Sequence, residues 1–199
     1  GPAGALLDGL ARAVLNRPMD RDGVVAARGE VRLELLEALN GHPFLERPWP
    51  KSTGLDTFGP AYLGAFMASA PGASAEDLLA TATRFVARAA VGDLLRGGRL
   101  ESLQGGVEVA VAGGGARNPT LMGAIEEELQ AQLQSRGGRL SGFGPSDRHG
   151  VPSDFREALA FAVLGARLAV GEVSSRPEVT GALGGRILGK WSSGPRIGL

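Results

Sequence analysis

The sequence predicts a helix-rich α/β fold, and three observations carry that prediction. Apolar residues recur at helical spacing along several segments of the 199-residue chain. A β-branched run at 107–111, apolar on both faces except for Glu108, is typical of a strand inside a parallel sheet. A second short strand is expected at 139–143. Because an α/β domain of this size normally has about five strands, the chain is short of strands at its front end.

The apolar spacing predicts three helices before the first strand: 3–15, about 24–39, and 74 to about 96. Aspartates and a glycine predict a turn at 20–23. Four prolines resist helix over 43–60, which we predict to be an ordered loop with polyproline II character. Ser74 and Asp77 form a near capping box at the start of the third helix. The glycines at 97–98 are expected to cap its end.

Two helices are predicted after the strand. Asn118 followed by Pro119 opens a helix that runs to about 134, with proline at its first position. Ser153 is expected to cap a second helix over 154–170. The inner face of that second helix is expected to carry Leu159, Ala162, Val163 and Ala166. The tail from 172 onward is rich in glycine, serine and proline.

Composition restricts the classes of function. The chain has 21 basic and 21 acidic residues, so no basic field draws it to nucleic acid or to an anionic membrane. There is no cysteine, which excludes disulfides and thiolate chemistry, and the two histidines disfavour a multi-histidine metal site. Charged residues and glycines interrupt every apolar run, and the first residues do not resemble a secretory signal. We therefore expect a cytoplasmic protein.

Three consecutive glycines, Gly113, Gly114 and Gly115, connect the first predicted strand to the helix that follows. Such a turn lets the backbone approach a ligand closely, and the helix start favours an anion or the polar face of a nucleotide. Asn118 can cap the helix or contact the ligand. Neither a Walker A motif nor a GxGxxG pattern is present, so a plain strand–helix turn remains an alternative.

Six collinear segments resemble motifs of the anhydro-N-acetylmuramic acid kinase family, within the sugar-kinase/actin/Hsp70 superfamily. They are GPAGALLDGL (1–10), MDRDGVVAARGEV (19–31), GHPFLERPWPKSTGLDTF (41–58), VAVAGGGARNPTLMGAIEEEL (109–129), GVPSDFREALAFAVLGARLAVGE (150–172) and VTGALGGRILGKW (179–191). The resemblance covers essentially the whole chain. One departure is Gly4, where the family usually has asparagine.

The resemblance implies a particular architecture. Family members are about twice this length and place the active site in a cleft between two actin-like domains. Residues 1–199 then form a single domain corresponding to the C-terminal half, an actin-like ATPase (RNase H-like) second domain that lacks its early strands. The aspartate that serves as general base is expected before Gly1, so no catalytic residue is assigned within this chain. The chain is either one piece of a larger polypeptide, which we favour because missing strands would leave sheet edges exposed, or a shortened relative without kinase activity.

The resemblance also implies an activity: ATP-dependent phosphorylation of 1,6-anhydro-N-acetylmuramic acid coupled to hydrolytic opening of the anhydro ring, in cell-wall recycling. ATP and Mg²⁺ are the implied cofactors, and an amino sugar and ATP the implied small-molecule partners. Neither nucleic acid nor a membrane is expected, and a homodimer is left open. The alternatives are a non-catalytic actin-like domain that binds a nucleotide or a partner, and a kinase of a different sugar.

Individual residues are assigned on these grounds, each beside a structural alternative. Gly113, Gly114, Gly115 and Asn118 are predicted to bind the nucleotide. Lys51, Ser52 and Thr53, in a proline-bracketed loop, are predicted on the sugar side or in cleft closure, the alternative being a structural loop with a solvated lysine. Glu157 is predicted to contact the sugar, although a carboxylate in a first helical turn also favours the helix dipole. Asp8 is predicted to hold Mg²⁺ through water, or is a solvated aspartate on a helix surface.

Overall fold

The computed structural model describes residues 3–96 and 106–192, and the predicted glycine cap at 97–98 lies outside these ranges. The helices are α1 (Gly4–Leu15), α2 (Leu33–Asn40), α3 (Pro43–Glu46), α4 (Leu55–Phe58), α5 (Pro60–Ala68), α6 (Ala75–Arg96), α7 (Pro119–Gln134), α8 (Arg156–Ala169) and α9 (Pro177–Thr180). The strands are β1 (Val107–Val111) and β2 (Leu140–Pro145). No helix in the described ranges is both long enough and apolar enough to cross a bilayer.

The two strands form a parallel sheet connected through α7. Val109 pairs with Phe143, and Val111 pairs with Pro145. Parallel neighbours need a crossover, and α7 supplies it, which makes β1, α7 and β2 one βαβ unit. The prediction of a helix-rich α/β fold with few strands is confirmed over the described residues.

The core is organised around the long helix α6, which packs against α1, α2 and α7. Phe85, on α6, is fully buried and lies 6.3 Å from the Phe58 ring and 6.4 Å from the Tyr62 ring, measured between centroids. The apolar stripe of α6 explains this position, because residues three and four apart share one face of a helix. Tyr62 is itself half-buried, and desolvation raises the pKa of its hydroxyl to about 12.

Most of the predicted elements are confirmed, together with two of the predicted caps. Helices α1, α6 and α7 and both strands lie where the sequence predicts them, within a few residues at their ends. The Ser74 hydroxyl accepts the backbone N–H of Asp77 at 3.0 Å. The Asn118 side chain accepts the backbone N–H of Leu121 at 3.0 Å. Each of these caps joins residues three positions apart in the chain, so local sequence suffices to predict them.

The predicted helix at 24–39 is wrong over its first part, because α2 begins only at Leu33. Residues 26–28 form a 3₁₀ turn, and the chain from Gly29 to Arg32 is held extended against α6. The backbone N–H of Glu30 donates to Asp77 Oδ1 at 2.9 Å, and that of Arg32 donates to the Thr81 hydroxyl at 3.0 Å. Tertiary hydrogen bonds therefore replace the helical ones, and helix propensity alone could not show this.

The predicted loop at 43–60 contains two short helices, α3 and α4, and α5 begins at its last residue. The His42 ring accepts the backbone N–H of Phe44 through Nδ1 at 3.2 Å and caps α3, with proline at the first helical position. Proline at that position favours a helix start, so the same prolines that argue against a long helix permit short ones.

Two expectations about α8 are corrected. Ser153 does not cap it: the helix begins at Arg156, and Ser153 lies in a preceding 3₁₀ turn, where its hydroxyl donates to Asp147 instead. The residues predicted on the inner face are not buried, since every residue of α8 is at least partly exposed. Neither result is visible in local sequence, because both depend on which elements surround the helix.

Asp77 is expected to make stability depend on pH. Its pKa is held below the ordinary value of 3.8, chiefly by the hydrogen bond from the Glu30 backbone N–H. A carboxyl with a lowered pKa contributes stability above its unfolded pKa, and the contribution is lost as the pH falls through the folded value. We therefore expect the melting temperature of wild type to exceed that of Asp77→Asn at pH 6, and the difference to shrink toward pH 3. Thermal melts between pH 6 and pH 3 test this prediction, with Glu34→Gln, at an exposed glutamate, as the control. A difference in melting temperature between wild type and Asp77→Asn that stays constant over this pH range would contradict it.

Candidate functional site

A cavity of ≈ 730 Å³ lies between α1, α6, the turn before residue 23 and the glycine loop, residues 113–117. Side chains from distant parts of the sequence meet there. The polar residues that line it include Asp8, Asp20, Asp22, Thr83, Arg117 and Asn118. The cavity therefore combines carboxylates on one side with a backbone turn and a helix start on the other.

The glycine loop presents its backbone to this cavity. Gly113 has φ 88° and ψ −179°, a conformation that is essentially restricted to glycine. Its N–H donates to the Ser153 carbonyl at 3.0 Å, which fixes the loop at the end of β1. A Cβ on Gly114 would meet no atom within 4 Å. Because Gly114 lines the cavity, it leaves room for a ligand that a larger side chain would occupy, whereas a Cβ on Gly115 would lie 3.4 Å from Leu121 Cδ2.

The start of α7 forms the next part of the wall. Asn118 lines the cavity, but its side-chain oxygen is already used to cap the helix through Leu121. The Thr120 hydroxyl donates to the Gly23 carbonyl at 2.9 Å and so links α7 to the turn at 20–23. This hydrogen bond therefore fixes the start of α7 against the turn at 20–23, which contains Asp20 and Asp22.

The acidic side of the cavity contains one partly buried carboxylate that is suited to a ligand. Burial raises the pKa of Asp8, on α1, and the nearby Arg12 partly offsets this. Asp20 has a structural role, because its oxygens accept the backbone N–H groups of Val25 at 3.0 Å and Ala26 at 2.9 Å. Over the described ranges, no group of three histidine, aspartate or glutamate side chains is placed to hold a metal ion. Asp8 therefore faces the cavity without a complete metal cage.

A polar network joins the glycine loop to the turn before α8. Arg117 forms an ion pair with Asp154. The Asp147 carboxylate accepts hydrogen bonds from the hydroxyl and from the backbone N–H of Ser153. The hydrogen bond from the hydroxyl lowers the pKa of Asp147. Since the carbonyl of Ser153 receives the Gly113 N–H, the turn before α8 holds the loop in place.

Lys51 is neither presented to a cleft nor solvated. Its side chain is 5% exposed, and the ammonium lies 2.7 Å from Asp93 Oδ1, whose side chain is 15% exposed. The ammonium also donates to the carbonyls of Leu45 at 2.9 Å and Phe44 at 3.2 Å. These three acceptors match the three donors of an ammonium group. The expectation of a ligand-facing lysine is therefore corrected: its donors are engaged within the chain.

The other residues predicted on the sugar side are not among those that line the cavity. Ser52 is exposed, and the Thr53 hydroxyl is buried with no hydrogen-bond partner among the described residues. Glu157 is exposed in the first turn of α8, with Arg156 3.4 Å away. Their contact with a sugar stays a prediction.

The structure thus brings together part of the predicted site and adds residues to it. Gly114, Gly115, Asn118 and Asp8 line one cavity, with Gly113 directly beside it. Sequence reasoning missed Thr83, a buried polar residue on α6 at the same cavity. Its one signal was its place in the apolar stretch 78–83 of the helix, where Thr81 and Thr83 are the two polar side chains.

Comparison with known proteins identifies the family. The family model for anhydro-N-acetylmuramic acid kinase matches residues 1–193. Proteins with that name from Burkholderia orbicola (strain MC0-3) and Streptomyces coelicolor are 39% and 41% identical, over 95% and 98% of this chain. The relative from Variovorax paradoxus is 40% identical over 95% of the chain. The chain spans about half the length of these relatives, 47%, 46% and 47%. With the glycine loop and its cavity in place, the match over nearly the whole sequence shows that the chain belongs to the anhydro-N-acetylmuramic acid kinase family.

Proposed function

We propose that this chain is the nucleotide-side half of an enzyme that phosphorylates 1,6-anhydro-N-acetylmuramic acid with ATP and opens its anhydro ring by hydrolysis. In this proposal residues 1–199 correspond to the C-terminal half of a two-domain kinase with an actin-like fold. The observation that carries the proposal is the family match over residues 1–193, together with the glycine loop at the wall of a ≈ 730 Å³ cavity.

The cavity chemistry supports a nucleotide on this side. Backbone turns rich in glycine and helix N-termini favour phosphates and other polar ligand groups. In this proposal the base or ribose fills the open space beside Gly114, where a Cβ would meet no protein atom within 4 Å. Asn118 is held by its helix cap, so it would contribute to a rigid wall. The nucleotide roles of Gly113, Gly114, Gly115 and Asn118 are part of this proposal.

The residues present are compatible with Mg²⁺ that is held mainly by the nucleotide. Mg²⁺ is often bound by one or two carboxylates together with phosphates and water, and Asp8 supplies one carboxylate at the cavity. When bound, the ion would neutralise phosphate charge during transfer. Asp8 would hold it through water. Ser52, Thr53 and Glu157 would act on the sugar side, and Lys51 would act by fixing the loop that contains Ser52 and Thr53.

A second candidate is a non-catalytic domain that binds a nucleotide or a partner. It is favoured because the predicted sugar-side residues are not among those that line the cavity: Lys51 is engaged with Asp93, and Glu157 is exposed in the first turn of α8. This second candidate also follows if the complete protein lacks the general base that is expected before Gly1.

A joined protein distinguishes the two candidates. The part of the Streptomyces coelicolor relative outside its match with this chain is fused before Gly1, and ATP-dependent phosphorylation of the anhydro-sugar is measured by mass spectrometry. We expect turnover by the joined protein and none by the chain alone. A joined protein that binds ATP but never phosphorylates the anhydro-sugar would overturn the kinase proposal in favour of the second candidate. A panel of other sugars tests for a different substrate.

Gly114→Val tests the nucleotide site directly. The side chain would extend into open space, so we expect the melting temperature to stay nearly unchanged while the ATP dissociation constant of the joined protein rises at least tenfold. Gly64→Val is the matched control, because a Cβ on Gly64 also meets no atom within 4 Å and Gly64 is exposed on α5, away from the cavity. Titration with a fluorescent ATP analogue measures the affinity of both variants. Unchanged affinity in Gly114→Val would place the nucleotide elsewhere.

A further inference from the structure

The glycine loop ends in a cation at the cavity. Arg117 follows Gly115 by two positions and lines the ≈ 730 Å³ cavity together with Gly114 and Gly115. Its side chain is 70% exposed, so a ligand can reach its guanidinium group. The basic residues among those that line this cavity are Arg117 and Arg21. A ligand with phosphate groups that lies along the glycine loop therefore meets Arg117.

The contact between Arg117 and Asp154 leaves part of the guanidinium group for another partner. Nη2 of Arg117 donates to Asp154 Oδ2, and this contact engages Nη2 alone. A guanidinium group carries further N–H donors on Nη1 and Nε, in the same plane. Two such donors side by side match two oxygens of a phosphate group. Arg117 can therefore bind a phosphate group without giving up Asp154.

The ion pair with Asp154 is also weak enough for a ligand to compete with it. Both partners are exposed, since the Asp154 side chain is 43% exposed. Exposed ion pairs contribute little to stability because water and salt screen them. Charge-assisted, bidentate hydrogen bonds between a guanidinium group and a phosphate group are among the stronger polar contacts in proteins. The phosphate contact is therefore favoured over the carboxylate contact.

The opposite wall of the cavity gives this cation a purpose. Asp8 on α1 and Asp20 and Asp22 in the turn at 20–23 line that wall. Like charges repel at short range, so the phosphate groups of a nucleotide need cations beside these carboxylates. Mg²⁺ would supply positive charge on the side of Asp8, and Arg117 supplies it on the side of the glycine loop.

We propose that Arg117 contacts a phosphate group of the nucleotide and thereby distinguishes nucleotides from nucleosides. This inference deepens the proposed function and rests on it, because it takes the nucleotide to lie along the glycine loop. With the base or ribose beside Gly114, the phosphate groups lie toward Arg117, three positions further along the same 3₁₀ turn. A role limited to supporting the loop through Asp154 predicts a different pattern of affinities.

Calorimetric titration of the joined protein with ATP, ADP and adenosine tests the inference. We expect Arg117→Met to raise the dissociation constants of ATP and ADP at least tenfold and that of adenosine less than twofold. Arg117→Lys is expected to recover part of the loss for ATP, because it keeps the charge but lacks the planar donors. Arg28→Met, at an exposed arginine that is not among the cavity-lining residues, is the matched control and should change none of the three affinities.

Asp154→Asn separates contact with the ligand from support of the loop. It removes a carboxylate that competes for Arg117, so we expect the dissociation constant of ATP to stay equal or to fall. If Arg117 acts only by supporting the loop, Asp154→Asn and Arg117→Met should weaken ATP and adenosine alike. That result would overturn the inference, and so would a loss of ATP affinity in Arg21→Met that is absent from Arg117→Met.

Binding and turnover distinguish this inference from the proposed function. A joined protein that does not phosphorylate the anhydro-sugar, but in which Arg117→Met weakens ATP and not adenosine, would refute the proposed function and leave the inference standing. A joined protein that phosphorylates the anhydro-sugar, and in which Arg117→Met binds ATP as tightly as wild type does, would refute the inference alone. A joined protein that binds neither ATP nor adenosine would refute both.

Discussion

Replacing Lys51 with methionine is expected to lower the free energy of unfolding by about 3–5 kcal/mol. The substitution removes one partner of a largely buried ion pair and leaves the Asp93 carboxylate, 15% exposed, without its cation. Two backbone carbonyls, of Phe44 and Leu45, lose their donor as well. Since the pair joins the 47–54 loop to α6, we also expect faster proteolysis of that loop.

Urea unfolding measures the effect, and the chain offers a matched control. Its other lysine, Lys190, is exposed, so Lys190→Met is expected to change stability by no more than about 0.5 kcal/mol. The double variant Lys51→Met/Asp93→Leu should recover part of the loss, because it removes both buried charges. Equal stability of Lys51→Met and Lys190→Met would show that the ion pair does not hold the loop.

Gly23→Ala is expected to damage both stability and the candidate site. Gly23 has φ 69°, where an alanine costs about 1–2 kcal/mol. A Cβ there would also overlap Asn118 Oδ1 and lie 2.7 Å from Thr120 Cβ, and crowding of this kind adds about 1–3 kcal/mol. Because Asn118 caps α7 at the cavity, we expect weaker ATP binding by the joined protein together with the lower stability.

Gly72→Ala separates backbone strain from the overlap at the site. Gly72 has φ 78°, but a Cβ there would meet no atom within 4 Å. We therefore expect the backbone cost alone and an unchanged ATP dissociation constant. Thermal melts and ATP titrations of both variants decide the matter. If Gly23→Ala weakens binding no more than Gly72→Ala does, the turn at 20–23 does not support the nucleotide site.

Features that depend on neighbouring residues could be predicted from the sequence. Ser74 and Asn118 cap their helices as predicted, and the β-branched run forms β1. Collinear motifs over the whole chain were enough to predict the family, which the comparisons confirm. The glycine loop between β1 and α7 was likewise visible as a pattern.

Features that depend on distant residues were decided by the tertiary structure. Residues 29–32 are extended because Asp77 and Thr81, on α6, accept their N–H groups. Lys51 is buried because folding places Asp93 beside it, although 42 positions separate the two in the chain. The apolar residues of α8 that were predicted to face inward are exposed, because the elements around that helix do not cover them. Sequence by itself determined local structure and family, because caps, turns and motifs act over a few residues. Only the tertiary structure decided which side chains share the cavity and which apolar face stays uncovered, because both depend on contacts between segments far apart in the chain.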